Sequence, residues 1–290
     1  MNLFRACSRR AVAIGWLTIF LLLASCGDEK EADKSPAAEA LAAGQSAAAQ
    51  MKKYAFELQM DQKLSGTPDT TADVKVDMQG LVEREPMKLD QTINTTIDGE
   101  TSVVRAVIVP EGYYLYTPEY EEWSKLSTET ASDNIATLSD FQVNPGKAVE
   151  AIEGLSEFAK LENSNRTQVV RYEGTGTEAN VYAIKLLEST MGLLAMDERL
   201  QSSLKVNKLR VELALDSERQ WPLSYTIDSE LSLELEAGKP TTVQTSVSGS
   251  YSDVNQSRAV VLPEEAKGAL SPEEIDEQLG DDPLNLNESE

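Results

Sequence analysis

Along most of the chain apolar and polar positions alternate one by one, the period of a strand that buries a single face. Tyr54, Phe56, Leu58 and Met60 alternate with Ala55, Glu57, Gln59 and Asp61, as Val74, Val76 and Met78 do with Asp73, Lys75, Asp77 and Gln79. Met87, Leu89 and Ile93 resume the pattern after Pro86. Val103 to Val109 is apolar on both faces apart from Arg105, which predicts a more central or better covered strand. Ser65-Gly66-Thr67-Pro68, Arg84-Glu85-Pro86 and Asp98-Gly99-Glu100 supply turn chemistry at the breaks, so antiparallel neighbours are expected. Gly112 to Pro118 and Trp123 to Leu126 read as an aromatic hairpin with its tip at Pro118 to Glu122. Its rings either fill a sheet core or form an exposed recognition edge.

The second half repeats the style. Thr167 to Tyr172 and Asn180 to Leu187 read as strands joined by Glu173 to Thr177. A meander follows in four runs, Leu209 to Leu215, Trp221 to Ile227, Leu231 to Leu235 and Val243 to Tyr251. Gly174 and Gly176 are expected to make a turn rather than a phosphate loop, because the fuller glycine pattern is missing and no helix is expected after them.

Helical spacing appears in a few places. Ala37 to Lys53 carries Leu41, Ala48 and Met51, and Gly44 near its middle costs about 1 kcal/mol relative to alanine, so packing must hold this helix. A short helix is expected near Ser132 to Phe141. Asn144-Pro145 opens a clearer one, with asparagine as N-cap, proline at the first helical position and Val149, Ile152, Leu155 and Ala159 as its apolar stripe. Ser189 to Leu204 is expected as another, and Ser271-Pro272-Glu273-Glu274 has the spacing of a capping box opening a short helix through Leu279.

The start of the chain changes the picture. Arg5, Arg9 and Arg10 precede an apolar segment from Ala11 to Ser25, the layout of an export signal and too short for a comfortable membrane span. Leu23-Ala24-Ser25-Cys26 resembles a bacterial lipobox, in which the cysteine is lipidated on sulfur and becomes the mature N-terminus. The resemblance implies a signal peptide at 1–25, with Leu23, Ala24 and Ser25 as its recognition residues and a diacylglyceryl group on Cys26. Each buried methylene contributes about 0.8 kcal/mol, and two acyl chains make a stable anchor where one does not. Residues 26–36 are then a lipidated, solvated tether, 37–266 a single domain, and 267–290 an acidic, mostly disordered tail.

Composition narrows the chemistry. The chain has 26 basic and 49 acidic residues; without residues 1–25, which hold three arginines and no acid, its charge of −23 becomes −26. Such a body repels phosphate backbones and anionic headgroups, so no nucleic-acid partner is expected. There is no histidine, which excludes imidazole zinc sites and Ser-His-Asp or Cys-His catalysis. Cys7 lies in the signal and Cys26 is the lipidation site, leaving no disulfide. Glu121-Glu122, Glu264-Glu265 and Asp281-Asp282 are neighbours in sequence and read as solvated faces rather than catalytic pairs. No enzyme, catalytic residue, metal or cofactor is expected.

The N-terminal helix, the two meanders, the Tyr113 to Trp123 hairpin, Ser248-Gly249-Ser250-Tyr251-Ser252-Asp253 and Leu262-Pro263-Glu264-Glu265-Ala266 resemble a family of uncharacterised lipoproteins of Gram-positive, Paenibacillus-like bacteria. At the level of fold such chains look like LolA and LppX-type lipoprotein and lipid carriers. That resemblance implies an α+β fold, a strongly bent antiparallel sheet or open half-barrel with helices on its concave face. It also implies an apolar ligand, a lipid or an acylated molecule, held by some of Tyr54, Phe56, Leu58, Met60, Val74, Val76, Met78, Leu213, Tyr225 and Ile227. The alternative is an envelope protein-interaction or assembly factor with an ordinary closed core and no ligand. In either case the expected place is the extracytoplasmic face of the cell membrane, reached through the lipid anchor.

Overall fold

Eleven strands pair into one antiparallel sheet, and its order follows from the alternation in the chain. The computed structural model describes residues 35–66, 71–137, 143–190 and 198–280. The strands are β1 (Lys53–Ser65), β2 (Ala72–Arg84), β3 (Met87–Ile97), β4 (Glu100–Val109), β5 (Gly112–Thr117), β6 (Glu122–Lys125), β7 (Lys160–Asn163), β8 (Thr167–Glu173), β9 (Lys205–Asp216), β10 (Pro222–Glu236) and β11 (Lys239–Ser252). Their order is β6-β5-β4-β3-β2-β1-β11-β10-β9-β8-β7, two meanders joined where β1 pairs with β11. The short strands β6 and β7 form the edges and do not pair with each other, so the sheet is open. All of this lies in one compact unit, residues 34–290.

Register puts one set of side chains on a common inner face. Tyr54 stands opposite Val82, Phe56 opposite both Gly80 and Tyr251, and Leu58 opposite both Met78 and Gly249. Tyr225 and Ile227 continue the face to Leu213 and Val211. Large rings need room here, and glycines on neighbouring strands provide it. A Cβ on Gly249 would overlap the Tyr225 ring, and one on Gly80 would meet the Asp90 carbonyl at 2.5 Å and the Phe56 ring at 2.9 Å. Tyr251 stacks edge-on to Tyr54 with ring centroids 5.7 Å apart.

Helices cover this inner face. They are α1 (Pro36–Ala48), α2 (Thr128–Thr137), α3 (Pro145–Glu153), α4 (Thr177–Thr190) and α5 (Glu198–Ser203), and a sixth, α6 (Pro272–Gly280), lies near the end of the chain. Ser35 caps α1, accepting from the Ala38 N–H, and donates its own hydroxyl to the Ser156 carbonyl at 2.9 Å. Gly44 lets α1 settle against the Leu215 side chain, as packing rather than propensity demands. Ala37, Leu41, Val149, Ile152, Tyr182 and Leu187 join the inner-face residues in one core. The large open antiparallel sheet is as expected, but with few helices the fold is strand-dominated rather than clearly α+β.

Several elements differ from the sequence expectation, among them β7, which it did not contain, and α2, which begins before the helix expected near Ser132 to Phe141, whose last residues lie outside those described. Asn180 to Leu187 is not a strand: it lies within α4, whose Ala179, Tyr182, Ala183, Leu186 and Leu187 are buried at helical spacing. Trp221 to Ile227 and Leu231 to Leu235 do not form separate strands, because Asp228-Ser229-Glu230 keeps the alternation in phase and Ser229 points inward opposite Thr245. Of the helix expected over Ser189 to Leu204, the C-terminal part is α5, and residues 191–197 lie outside those described.

The outer face is polar over most of its width but not over β4 and β5. There Val107, Val109 and Tyr114 are buried under Val260 and Ala266 from the segment that follows β11. That cover explains why Val103 to Val109 is apolar on both sides. The segment is fixed at several points: the Val260 N–H donates to Glu83 at 2.7 Å, and Lys125 pairs with Glu274 of α6 at 2.6 Å. Ser271 caps α6 through the Glu274 N–H, while Glu274 accepts from the Ser271 N–H, the reciprocal bonds of a capping box. Residues 267–280, expected within a mostly disordered tail, are thus structured, and 281–290 lie outside the described residues.

Candidate apolar site beside Arg84

The inner face is not covered evenly. On β9, β10 and β11 the inward residues are packed: Leu213, Tyr225 and Ile227 are all buried. On β1 and β2, Tyr54, Phe56 and Leu58 are buried, but Met60, Val74, Val76 and Met78 remain half-buried. Register therefore brings all ten expected residues to one face, six in the core and four along a partly open stripe. Ile93 and Val104, inward on β3 and β4, continue that stripe and are half-buried too.

At the Tyr54 end of this face lies a cavity of about 210 Å³ lined by Tyr54, Val82, Arg84, Met87, Leu89, Ile135, Val143 and Asn144. Its floor is built by the hairpin of β2 and β3, where Val82 faces Leu89 and Arg84 faces Met87. Its roof comes from α2 and the start of α3. Asn144 caps α3, its Oδ1 accepting from the Gly146 N–H at 3.0 Å, and this fixes where Val143 and Asn144 stand. Tyr54 donates its hydroxyl to the Val143 carbonyl at 3.1 Å, tying floor to roof. Burial pushes that phenol well above its ordinary range, and the nearby Arg84 charge opposes the shift, so the hydroxyl stays a neutral donor.

Among the ten residues expected to meet a ligand, only Tyr54 lines this cavity. Val82, Arg84, Met87 and Leu89 were legible in principle. The turn at Arg84-Glu85-Pro86 fixes the register of the β2–β3 hairpin, and once Tyr54 is inward, Val82, Arg84 and Leu89 must follow. Ile135, Val143 and Asn144 carried no such signal, since their approach depends on how α2 and α3 dock. Leu23, Ala24, Ser25 and Cys26 lie outside the described residues. No helix among the described residues is long and apolar enough to cross a membrane.

Two larger depressions lie on the outer face and have another chemistry. One, about 590 Å³, is lined by charged and polar residues in which Arg105 already makes a two-pronged pair with Asp90 at 2.9 and 3.0 Å. The other, about 730 Å³, follows the crease between Val109, Tyr114 and the strap at Val260 to Leu262. The loop at Gly174 and Gly176 does precede a helix, contrary to expectation. Its anion position is filled from within, because the Glu178 carboxylate lies against Gly176 and accepts from the Tyr172 hydroxyl at 2.7 Å.

A family model described as a family of unknown function, DUF6612, matches residues 37–270. No curated protein matches the chain. Among solved structures, a LolA superfamily protein from Nitrosomonas europaea is 10% identical over 79% of this chain and 95% of that one, with a TM-score of 0.20. A domain described as outer membrane lipoprotein-sorting from Vibrio parahaemolyticus is 13% identical over 72% and 91%, with a TM-score of 0.20. A DUF1329 family protein from Desulfovibrio piger is 9% identical over 79% and 97%, with a TM-score of 0.23. At TM-scores this low these likenesses carry no weight on fold or function, and the chain's own residues must do so.

Proposed function

Because the chain belongs to the family of unknown function DUF6612, its role has to be read from its own geometry, and we propose that it is a non-catalytic, lipid-anchored extracytoplasmic module that binds an apolar ligand. The observation that carries this reading is the apolar cavity between the β2–β3 hairpin and the helices above it. A cavity of roughly 150 Å³ lined by aliphatic and aromatic residues stays dry and admits a molecule the size of benzene. This one, at about 210 Å³, has room for more. The half-buried stripe of Met60, Val74, Val76 and Met78 supports the same reading, because contiguous apolar surface that the core only partly covers marks binding faces.

The anchor rests on Leu23-Ala24-Ser25-Cys26. A tethered binder works within the reach of its tether, so it presents or retains a ligand at the membrane rather than carrying it between membranes. Metabolic labelling with a clickable palmitate analogue is expected to mark the wild-type chain and not Cys26→Ser. Equal labelling of the two would remove the anchor.

Ligand binding is tested on residues 34–290, which hold the whole sheet and all described core residues in one compact unit. Native mass spectrometry of this unit, secreted through a bacterial envelope and purified without detergent, is expected to show an adduct that organic solvent extracts. Val82→Phe, which fills the cavity, is expected to abolish the adduct while leaving the thermal midpoint within a few degrees. An adduct-free wild-type unit that also fails to bind a polarity-sensitive dye would overturn the reading.

A further inference from the structure

We infer that the cavity beside Arg84 takes a single-chain amphiphile with a carboxylate head, its tail among Tyr54, Val82 and Leu89 and its head on the Arg84 guanidinium. This deepens the reading of the cavity as a ligand site and rests on it. The first ground is Arg84 itself. It lines the cavity, points to the inner face and makes no ion pair among the described residues. Its recorded bond runs from Nη1 to the Ala48 carbonyl at 2.9 Å. A guanidinium has five N–H donors in a fixed fork, so most of this one's capacity is unspent. In a chain of net charge −23, a half-buried arginine so weakly neutralised is out of keeping with its surroundings. The adjacent acid, Glu85, is held chiefly by Lys52 at 2.9 Å, and the Arg84 charge is the smallest of the influences on it.

The second ground is the helix end beside it. Asn144 lines the cavity as the N-cap of the nine-residue α3, so the positive end of that helix faces the same space. Arg84 and the helix end together favour an anion at a mouth whose walls are otherwise apolar. A buried anion requires such a partner, because an unpaired charge out of water is very costly. The third ground is size: about 210 Å³ suits a segment of one acyl chain and not the paired chains of a diacyl lipid.

The test compares head groups at constant tail. Displacement of a polarity-sensitive dye from residues 34–290 is measured at low salt with laurate, dodecanol and dodecyltrimethylammonium, each below its aggregation concentration. Laurate is expected to bind about tenfold more tightly than dodecanol, as a charge-assisted pair implies. Its advantage should shrink as salt is added. Arg84→Gln should erase the advantage of laurate over dodecanol, and Arg84→Lys should keep part of it. Equal binding of laurate and dodecanol, or strongest binding of the trimethylammonium probe, would overturn the carboxylate and leave an apolar site standing. Failure of all three to displace the dye, or of the dye to bind, would overturn both. The comparison on the unaltered chain decides the matter even where Arg84→Gln does not fold.

Discussion

Single side chains are held in this sheet by what the adjacent strand leaves out. The Tyr225 ring lies where a Cβ of residue 249 would stand, so Gly249→Ala forces the ring or the strand to move. Overpacking of this kind costs about 1–3 kcal/mol. In a unit of this size each kcal/mol corresponds to about 2–4 °C of midpoint, and differential scanning calorimetry of residues 34–290 reads the drop. Tyr182, Tyr225 and Tyr251 are all held protonated well above the ordinary phenol value of 10.0, in each case chiefly by burial. A raised value contributes stability that is complete below 10 and is lost as pH climbs toward the folded values. Tyrosinate absorbance at 295 nm for these buried rings is therefore expected to appear together with unfolding, not before it. That Phe56, Tyr225 and Tyr251 are inward could be read from alternation alone. The need for glycine at 80 and 249 could not, because it is set by rings that cross from neighbouring strands.

Elements here answer to different forces. The helix α3 follows local rules, with Asn144 accepting from two backbone N–H groups and Pro145 first in the helix, and it forms where those residues predict. Asn144→Ala should cost about 1 kcal/mol and loosen the roof of the cavity, raising exchange at Gly146. By contrast α4 carries a mixed local signal, with Glu178, Ala179, Ala183, Lys185, Leu186 and Leu187 good helix formers. Val181, Tyr182 and Ile184 favour a strand, yet the buried stripe of Ala179, Tyr182, Ala183, Leu186 and Leu187 lies against β9 and makes the segment a helix. The helical spacing of Ala179, Tyr182, Ala183, Leu186 and Leu187 stands in the sequence itself, where the β-branched residues between them mask it. The strap after β11 depends on charge. Glu83 is held below the usual carboxylate value first by the Val260 N–H and then by Lys88, with burial opposing, and Glu274 is lowered chiefly by its bond from Lys125. Lowered values mean that the strap's hold is complete above the unfolded value of 4.5 and fades as pH falls through the folded ones. Hydrogen exchange between about pH 5 and pH 3 should show Val260 losing protection while β9, β10 and β11 keep theirs. Equal loss in both would show that the carboxylates do not hold the strap.

At the scale of the molecule, the alternation and turn chemistry foretold antiparallel meanders over most of the chain. They did not reveal the strap over β4 and β5, because acid-rich residues 264–290 show no lasting period. Nor did they disclose the join at the sheet's centre. There β1 pairs with β11 along Ala55 to Ser65, opposite Thr242 to Ser252, so the middle of the sheet unites residues nearly two hundred positions apart. A chain that emerges from its N-terminus first thus carries the β1 edge unpaired until residue 252 is available. An open strand edge is a template for wrong pairing, and contacts this distant form late. Truncation before Lys239 leaves β1 without its partner and is expected to yield insoluble chain, whereas truncation after Ser271 keeps the pair and should remain soluble by sedimentation. The central seam is then also a clock: the two meanders cannot join before almost all of the polypeptide is available to fold.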